Sequence, residues 1–269
     1  MLFRAATRRL AVRAPRYSHS AFQRDPPNPV WKHGDGASSK WLDPAVPRKT
    51  FDFTQLSSRD AYTVLTSAIV PRCIALVSSL SPDGVPNLAP FSYFSMVGHI
   101  PPLVSVSFSL SQKRSKNTRE NIAATKEFTV NIISEAFVEA ANCTAVEAPP
   151  SVDEWILSGL TPTPSTFVKP ACVMESAVSL ECELYFLRDF SPPDSDLVTT
   201  TLTLGLIRKA HIHESVLKSD GLAINPDKLR VIARMGGTTY ARVLEGFDLE
   251  RTSWKTAKSV YEDMLRRQD

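Results

Sequence analysis

Hydrophobic and polar residues alternate along much of the middle of the chain, in the pattern of strands that bury one face. The clearest case is Val104, Val106 and Phe108, which alternate with serines at a period of two. Alternating or continuous apolar runs of this kind predict strands at 73–80, 87–97, 103–110, 127–133, 173–187 and 197–212.

Helical periodicity is confined to shorter stretches. It predicts helices at 57–67, 134–146 and 248–267. The last of these is amphipathic, with an apolar stripe that runs from Trp254 to Met264. A further helix is expected to begin near Asn117, whose side chain would cap the backbone amides while Glu120 reaches back in a capping box.

Strands and helices do not alternate regularly, and the chain has no internal repeat. A regular alternation would indicate a parallel sheet with crossover helices. The observed order instead predicts a mainly β fold, an antiparallel barrel with helical insertions and a C-terminal helix.

The ends of the chain differ in composition from its middle. Residues 1–24 contain six arginines and no acidic residue, which is typical of a mitochondrial transit peptide; the alternative is a disordered basic tail. Residues 25–50 are a Pro-rich linker, but Trp31 and Trp41 favour an arm that packs in part across the domain. The predicted domain spans 51–247, and the C-terminal amphipathic helix spans 248–269.

Charge and cysteine content argue against several classes of protein. Without the six N-terminal arginines, 25 basic residues face 28 acidic ones, whereas nucleic-acid binding needs a basic face. The longest weakly charged stretch, 84–112, is interrupted by prolines, so no membrane span is predicted. The four cysteines show no metal-type or redox-type spacing, which predicts buried thiols in a reducing compartment.

Familiar catalytic and nucleotide-binding motifs are absent from the sequence. The glycines never fall at the G-x-G-x-x-G spacing, and there is no phosphate-binding loop of the G-x-x-x-x-G-K-[ST] type. The chain also lacks a G-x-S-x-G elbow and an H-E-x-x-H pair. These absences argue against Rossmann dehydrogenases, kinases and common hydrolases.

A series of separate blocks resembles one family. The blocks are PRCIALVS at 71–78, SPDG at 81–84, NLAPFSYF at 87–94, PPLVSVSF at 101–108, NTRENI at 117–122, EFTVNI at 127–132, ESAVSLEC at 175–182 and RMGGTTY at 234–240. In this order they resemble the flavin reductase-like family of FMN-binding split barrels, over roughly residues 65–245. The resemblance implies a Greek-key split barrel, a homodimer, and FMN bound near the subunit interface.

The segment Ala89, Pro90, Phe91 and Ser92 is the first candidate part of a cofactor site. Proline has no amide hydrogen, so a strand is expected to leave its ladder at this point. Backbone groups and the serine hydroxyl would then meet the polar edge of the isoalloxazine ring. The residues alone favour an ordinary edge strand with a proline and a buried Phe, whereas the resemblance favours the flavin.

A second candidate part lies between a strand end and a helix start. Ser107, Phe108 and Ser109 end the strand, and the helix begins a few residues later. Unpaired amides at a helix N-terminus attract phosphate. The side chains predicted to help bind the FMN phosphate are Lys113, Lys116, Thr118 and Asn121. The alternative from the residues alone is a capped helix beside a solvated basic loop.

Two further residues, His211 and Arg234, are candidates for cofactor contacts, and Glu181 is a candidate structural residue. His211 matches a position where the family often has histidine, which implies a place near the nicotinamide pocket. Arg234 precedes two glycines and is expected to approach FMN or NAD(P)H, or to belong to a simple turn. Glu181 is predicted to be structural and paired with a cation. No metal site is predicted, since His211 and His213 have no evident third ligand.

The predicted function is transfer of hydride from NAD(P)H to FMN in the mitochondrial matrix, or in the cytoplasm if the N-terminal segment is not a transit peptide. The resemblance implies direct transfer from the nicotinamide to the flavin, which needs no catalytic triad. A partner enzyme that accepts reduced flavin is also expected. The alternative is an FMN-binding electron carrier without efficient NAD(P)H oxidation. An enzyme like pyridoxamine phosphate oxidase, on a related barrel, is disfavoured because no matching strings occur.

Overall fold

The computed structural model describes residues 22, 25–37, 42–43, 45–111, 116–193 and 195–267. The α-helices are α1 (Ser58–Ala68), α2 (Asn117–Thr125), α3 (Val138–Cys143), α4 (Glu154–Ser158), α5 (Pro226–Leu229) and α6 (Trp254–Arg266). The strands are β1 (Ala75–Leu80), β2 (Pro86–Phe91), β3 (Phe94–His99), β4 (Pro102–Ser109), β5 (Glu127–Ile132), β6 (Pro162–Thr163), β7 (Cys172–Val173), β8 (Val178–Phe190), β9 (Thr200–Ile212), β10 (Ile232–Arg234) and β11 (Tyr240–Arg242). A short 3₁₀ helix covers Glu214–Val216.

Seven of these strands form one antiparallel sheet in the order β2-β1-β5-β8-β9-β4-β3. Two small two-stranded sheets, β6-β7 and β10-β11, lie beside it. The prediction of a mainly β, antiparallel fold with helical insertions is confirmed.

The sheet is curled by a short link between its two edges. β2 and β3 lie at opposite ends of the strand order but are joined by only Ser92 and Tyr93. In a flat sheet of this size the edges would be roughly 29 Å apart, whereas so short a link spans roughly 10 Å. The sheet must therefore close on itself, and the prediction of one strand over 87–97 was wrong.

β1 separates two hydrophobic clusters because its successive side chains point to opposite faces. Ala75 and Val77 face the barrel interior, where the rings of Phe108 and Phe128 are fully buried. Leu76 faces the outside of the sheet, where α3 and α4 cover it. Full burial of each large side chain is worth about 1.5–3 kcal/mol, so both faces hold β1 in place.

The helix α1 confirms the prediction at 57–67 and is fixed at both ends. Ser57 caps its start by accepting a hydrogen bond from the amide of Asp60 at 3.1 Å. At its other end, Arg72 donates from Nη1 to the carbonyl of Ile69 at 2.7 Å. The same guanidinium donates from Nη2 to the carbonyl of Met235 at 2.8 Å. Arg72 thereby ties α1 to the end of β10.

The chain termini contact each other. Phe22 lies against Gly246, and Gly34 lies against Met264 of α6. Most described residues of the arm at 25–50 are exposed, and Trp41 lies outside the described residues, as does the predicted transit peptide apart from Phe22. No helix in the described ranges is both long and apolar enough to span a membrane.

The cysteines are all free thiols, but burial differs among them. Cys172 and Cys182 are buried, as predicted, and burial raises the pKa of both thiols. Cys143 is partly exposed, and Cys73 is exposed at the start of β1, so the prediction of four buried thiols was wrong for Cys73.

Candidate functional site

A cleft of about 450 Å³ opens where β2, the end of β4 and the start of α2 meet. Its wall continues into the link between β2 and β3 and into the loop at 144–148. The cleft thus lies at the place where the barrel closes. Neighbouring strand ends and a helix start supply backbone and hydroxyl groups to one cavity.

Eight of the residues predicted for the flavin site line this cleft. Four come from β2 and the residue after it: Ala89, Pro90, Phe91 and Ser92. The other four come from β4 and the start of α2: Ser107, Ser109, Lys116 and Thr118. Residues separated by almost 30 positions in the sequence are therefore brought together.

The start of α2 differs from the predicted capping box. The helix begins at Asn117, and the side chain of the N-cap residue, Lys116, makes no capping hydrogen bond. Glu120 pairs with Arg119 at 2.8 Å rather than reaching back to the N-cap amide. The capping-box prediction was wrong. Because neither predicted capping bond forms, the first-turn amides, at the positive end of the helix dipole, remain available to an anion.

Two residues next to this helix start fix its orientation to the cleft. The side-chain amide of Asn87 donates to the hydroxyl of Thr118 at 2.8 Å, and both side chains are buried. Because the Thr118 oxygen accepts from Asn87, its own hydrogen is free to point elsewhere. Thr118 therefore presents a hydroxyl donor at the cleft, held in place by β2.

Two other predicted residues lie behind the cleft wall. Asn121 is buried, and its amide donates to the hydroxyl of Ser79 on β1 at 3.1 Å. Phe108 points into the barrel core and packs edge-to-face on Phe91, with 4.8 Å between the ring centroids. Neither residue lines the cleft; Phe108 supports Phe91, which does, and Asn121 joins α2 to β1.

Lys113 lies outside the described residues, together with Arg114. The prediction that Lys113 helps to bind phosphate stays a prediction. Lys116, which is described, is a cation that lines the cleft.

His211 lies far from this cleft within one chain. Its Nε2 is 2.5 Å from Oε1 of Glu181. His211 does not line the cleft, and four strand pairings separate it from Pro90, which does: His211 with Ser179, Ser179 with Asn131, Asn131 with Leu76, and Leu76 with Pro90. Four strand spacings correspond to roughly 19 Å around the barrel.

Glu181 forms the centre of a compact network, as its structural prediction anticipated. Its carboxylate accepts hydrogen bonds from the amides of Thr166 at 2.9 Å, Phe167 at 2.5 Å and Val168 at 2.8 Å. Burial alone would raise the pKa of Glu181, but the bonds from His211, Thr166 and Val168 outweigh it and lower the pKa to about 2. Glu181 therefore anchors the loop at 164–170 as an ionised carboxylate.

Arg234 also lies outside the cleft. Its backbone bonds to that of Arg72, with N–O distances of 2.8 and 3.0 Å. Its guanidinium stacks 4.4 Å from the centroid of the Tyr240 ring and donates to the carbonyl of Gly237 at 2.5 Å. These contacts fit the alternative of a local turn. Among the described residues, no three His, Cys, Asp or Glu side chains cluster in a way that could hold a metal ion.

The structure adds residues to the cleft that sequence patterns did not indicate. Tyr62 of α1 and Tyr93 of the link provide two aromatic side chains. Burial raises the pKa of the Tyr93 phenol, and nearby Tyr62 adds to this effect. Tyr62 belongs to a predicted helix, but only the anchoring of α1 by Arg72 brings it to the cleft, so no local signal identified it.

Glu154 is the most unusual of these additional residues. It is the first residue of α4, lines the cleft and is only 3% exposed. Its Oε2 accepts the amide hydrogen of Leu88 at 3.1 Å. Burial raises the pKa of this carboxyl; the Leu88 amide opposes the shift and the charge of Asp153 adds to it.

Comparison with known proteins identifies close relatives. The Bacillus subtilis protein YwrF is 34% identical over 203 residues, which cover 76% of this chain and 98% of that protein. The structure of nitrilotriacetate monooxygenase component B from Bacillus cereus is 32% identical, with a TM-score of 0.72, over 76% of this chain and all of that chain.

A third similarity concerns the fold alone. A Shewanella frigidimarina structure, described as a flavin reductase with a split barrel domain, is 22% identical with a TM-score of 0.62. It covers 74% of this chain and 94% of that chain. The expected split-barrel architecture is thus confirmed.

The family model for the flavin reductase like domain matches residues 67–235. This segment contains the seven-stranded sheet, the start of α2 and nearly all of the cleft; Tyr62 is an exception. Because the match covers more than half of the chain, the protein belongs to the flavin reductase-like family.

Proposed function

We propose that the protein binds FMN in this cleft and oxidises NAD(P)H. The observation that carries the proposal is the convergence of two strand ends and one helix start on a single cavity, in a chain of the flavin reductase-like family. Eight of the twelve residues predicted to bind the cofactor line this cleft, which supports the proposal.

The donor set of the cleft fits a flavin mononucleotide. The first-turn amides of α2, the Thr118 hydroxyl and Lys116 form a site for a phosphate. Near the link between β2 and β3, Ser92 and adjacent backbone groups suit the donor and acceptor edge of the isoalloxazine. The apolar rings of Phe91 and Tyr93 suit its flat faces.

When bound, the flavin supplies the redox chemistry, because it can accept hydride from a reduced nicotinamide. The residues of this chain bind and orient it. The β2–β3 link sets where the ring lies, because its position is fixed by closure of the barrel. The hydrogen bond from the Ser107 amide to the Tyr93 carbonyl, at 2.9 Å, holds that link to β4.

We further propose that the nicotinamide site is completed in a homodimer. His211, the candidate nicotinamide residue, does not line the cleft of its own chain, so a second copy would have to bring it there. Light scattering on the FMN-loaded protein is expected to give a dimer mass. A monomer that oxidises NAD(P)H would contradict this part of the proposal.

The decisive assay mixes the purified protein with FMN and either NADH or NADPH and follows the nicotinamide absorbance. Oxidation that depends on both protein and FMN supports the reductase. The separation of His211 from the cleft favours one alternative, an FMN-binding electron carrier. Tight FMN binding without nicotinamide oxidation would support that carrier, and no flavin binding would contradict both functions.

We also propose that the six-arginine segment directs the protein to the mitochondrial matrix and that reduced flavin serves a partner enzyme. The Bacillus cereus relative is named as one component of a monooxygenase, which supports such a partner. A fluorescent fusion of residues 1–40 is expected to enter mitochondria. A diffuse cytosolic signal would contradict the location.

A further inference from the structure

Glu154 is a buried carboxyl group that the proposed hydride transfer does not use. Its hydrogen bond to Leu88 places it beside β2, one residue from Asn87. Asn87 in turn contacts Thr118 in the first turn of α2. Glu154 therefore lies at the helix end of the cleft, where a phosphate would bind, rather than at the end formed by Tyr62 and Tyr93.

The negative charge of an ionised Glu154 would not be neutralised by any described basic side chain. No Lys, Arg or His of the described residues lies within ion-pair distance, and the donors to its carboxyl are backbone amides, those of Leu88 and of Glu154 itself. By contrast, its neighbour Asp153 caps α4 by accepting from the amide of Trp155 at 2.9 Å.

The elements packed against α4 contribute few titratable groups. β2 contains none. α3 contributes Cys143, whose thiol donates to the carbonyl of Leu157 at 3.7 Å, and Glu139, which is exposed and lines a different pocket. Across the cleft, the described charged groups are Lys116 and Glu147, and Glu147 has a partner of its own.

We propose that Glu154 binds the phosphate end of the flavin in its protonated form, so that FMN binding takes up a proton from solvent. This inference rests on the proposed flavin-binding function. A carboxylate and a phosphate at the same end of a cleft repel each other, whereas a neutral carboxyl donates a hydrogen bond to the phosphate. The proton converts a repulsive contact into an attractive one.

The direction of the pH dependence follows from this linkage. Burial already raises the pKa of the Glu154 carboxyl in the free protein, and a bound phosphate would raise it further. FMN affinity is therefore expected to fall as pH rises through the titration of Glu154. Riboflavin has no phosphate, so its affinity should change much less.

The test measures affinity for FMN and for riboflavin with the full chain, from about pH 5 to about pH 8. The wild type is compared with Glu154→Gln, which keeps an acceptor for the Leu88 amide and supplies a permanent neutral donor. At the upper end of this range, Glu154→Gln is expected to bind FMN about tenfold more tightly than the wild type. Riboflavin affinity should be the same for both.

Asp153→Asn is the matched control, because it removes a neighbouring carboxylate while asparagine still caps the helix. It should keep the fall of FMN affinity with rising pH, including any contribution from the second ionisation of the phosphate itself, but the fall should move to lower pH because the Asp153 charge no longer raises the pKa of Glu154. Calorimetry in buffers of different ionisation enthalpy should show proton uptake with FMN in the wild type but not in Glu154→Gln.

The outcomes separate this inference from the proposed function. If FMN and riboflavin bind but wild type and Glu154→Gln show parallel pH profiles, only the role of Glu154 is overturned. If neither flavin binds the wild type, both proposals fail. If Glu154→Gln does not fold, calorimetry on the wild type decides: equal proton uptake with FMN and riboflavin would overturn the inference.

Discussion

Glu154 and Glu181 are both buried, with 3% and 0% of their surfaces exposed, but their surroundings are opposite. Glu181 accepts from three backbone amides, a hydroxyl and His211. Within the described part of the chain, Glu154 accepts hydrogen bonds from backbone amides alone, and it lines an open cleft. Their pKa values move in opposite directions: that of Glu181 falls to about 2 and that of Glu154 rises. Burial alone therefore does not decide whether a carboxyl group is ionised. The number and kind of its hydrogen-bond donors decide it.

The difference in hydrogen bonding also distinguishes a carboxyl group that stabilises the fold from one that can bind a ligand. A fully hydrogen-bonded carboxylate has no capacity left for a ligand, so Glu181 holds a loop. A buried carboxyl group with few hydrogen-bond donors is unfavourable as an anion. In its protonated form it is stabilised by a ligand that accepts a hydrogen bond from it. Such groups concentrate at functional sites.

The largest expected effect is that of Glu181→Gln. The amide group would face buried N–H donors and leave at least two of them without an acceptor, at about 1–3 kcal/mol each. We expect about 3–5 kcal/mol lower unfolding free energy and a melting temperature lower by about 10 °C. Glu183→Gln, which loses only the half-exposed pair with Arg208, is the control and should change stability by less than about 1 kcal/mol. Equal effects of both variants would contradict the anchoring role.

The pH dependence of stability should distinguish the two glutamates. The pKa of Glu181 is lowered, so its stabilising contribution is present above the unfolded value and is lost as pH falls towards about 2. The pKa of Glu154 is raised, so its contribution is present at low pH and is lost as pH rises through the folded value. Urea unfolding across pH should show Glu154→Gln gaining stability relative to wild type as pH rises. A gain as pH falls would contradict this assignment.

A smaller effect, mainly on FMN affinity, is expected from Thr118 at the start of α2. Thr118→Val removes a hydroxyl donor to a charged phosphate, a loss of about 1.5–3 kcal/mol, or roughly ten- to hundredfold weaker FMN binding. Riboflavin affinity should stay the same.

Asn121→Ala tests the other predicted phosphate residue. Because its amide bonds to Ser79, we expect lower thermal stability and an unchanged ratio of FMN to riboflavin affinity; a changed ratio would restore Asn121 to the phosphate site.

The smallest effect is expected from His211→Gln. The imidazole is partly exposed, and Glu181 keeps its backbone donors, so stability should fall by about 1 kcal/mol or less. FMN affinity should be unaffected, since His211 is not among the residues that line the flavin cleft and is proposed to contact the nicotinamide instead. The informative quantity is the KM for NAD(P)H. An increased KM would support a nicotinamide site completed by a second copy, and an unchanged KM would remove His211 from that role.

The chemistry of the cleft was predictable where it depended on local sequence blocks. The segment 89–92 and the last two serines of β4, Ser107 and Ser109, lie in the cleft because each block ends a strand at the same side of the barrel. Glu154 could not be predicted, because nothing in its local sequence indicates that it will be buried beside Leu88, 66 residues earlier. The capping box failed for a similar reason: Arg119 binds Glu120 and also Asp189 on β8, a partner distant in sequence.

The sequence by itself determined the elements and the family. Alternation at a period of two placed most strands within a few residues, because side-chain direction along a strand is a local property. Only the tertiary structure decided that 87–97 breaks into two strands at opposite edges of the sheet, that Tyr62 reaches the cleft, and that His211 does not. These outcomes depend on barrel closure, which is set by pairing between distant strands and by the two-residue link, and no local pattern encodes it.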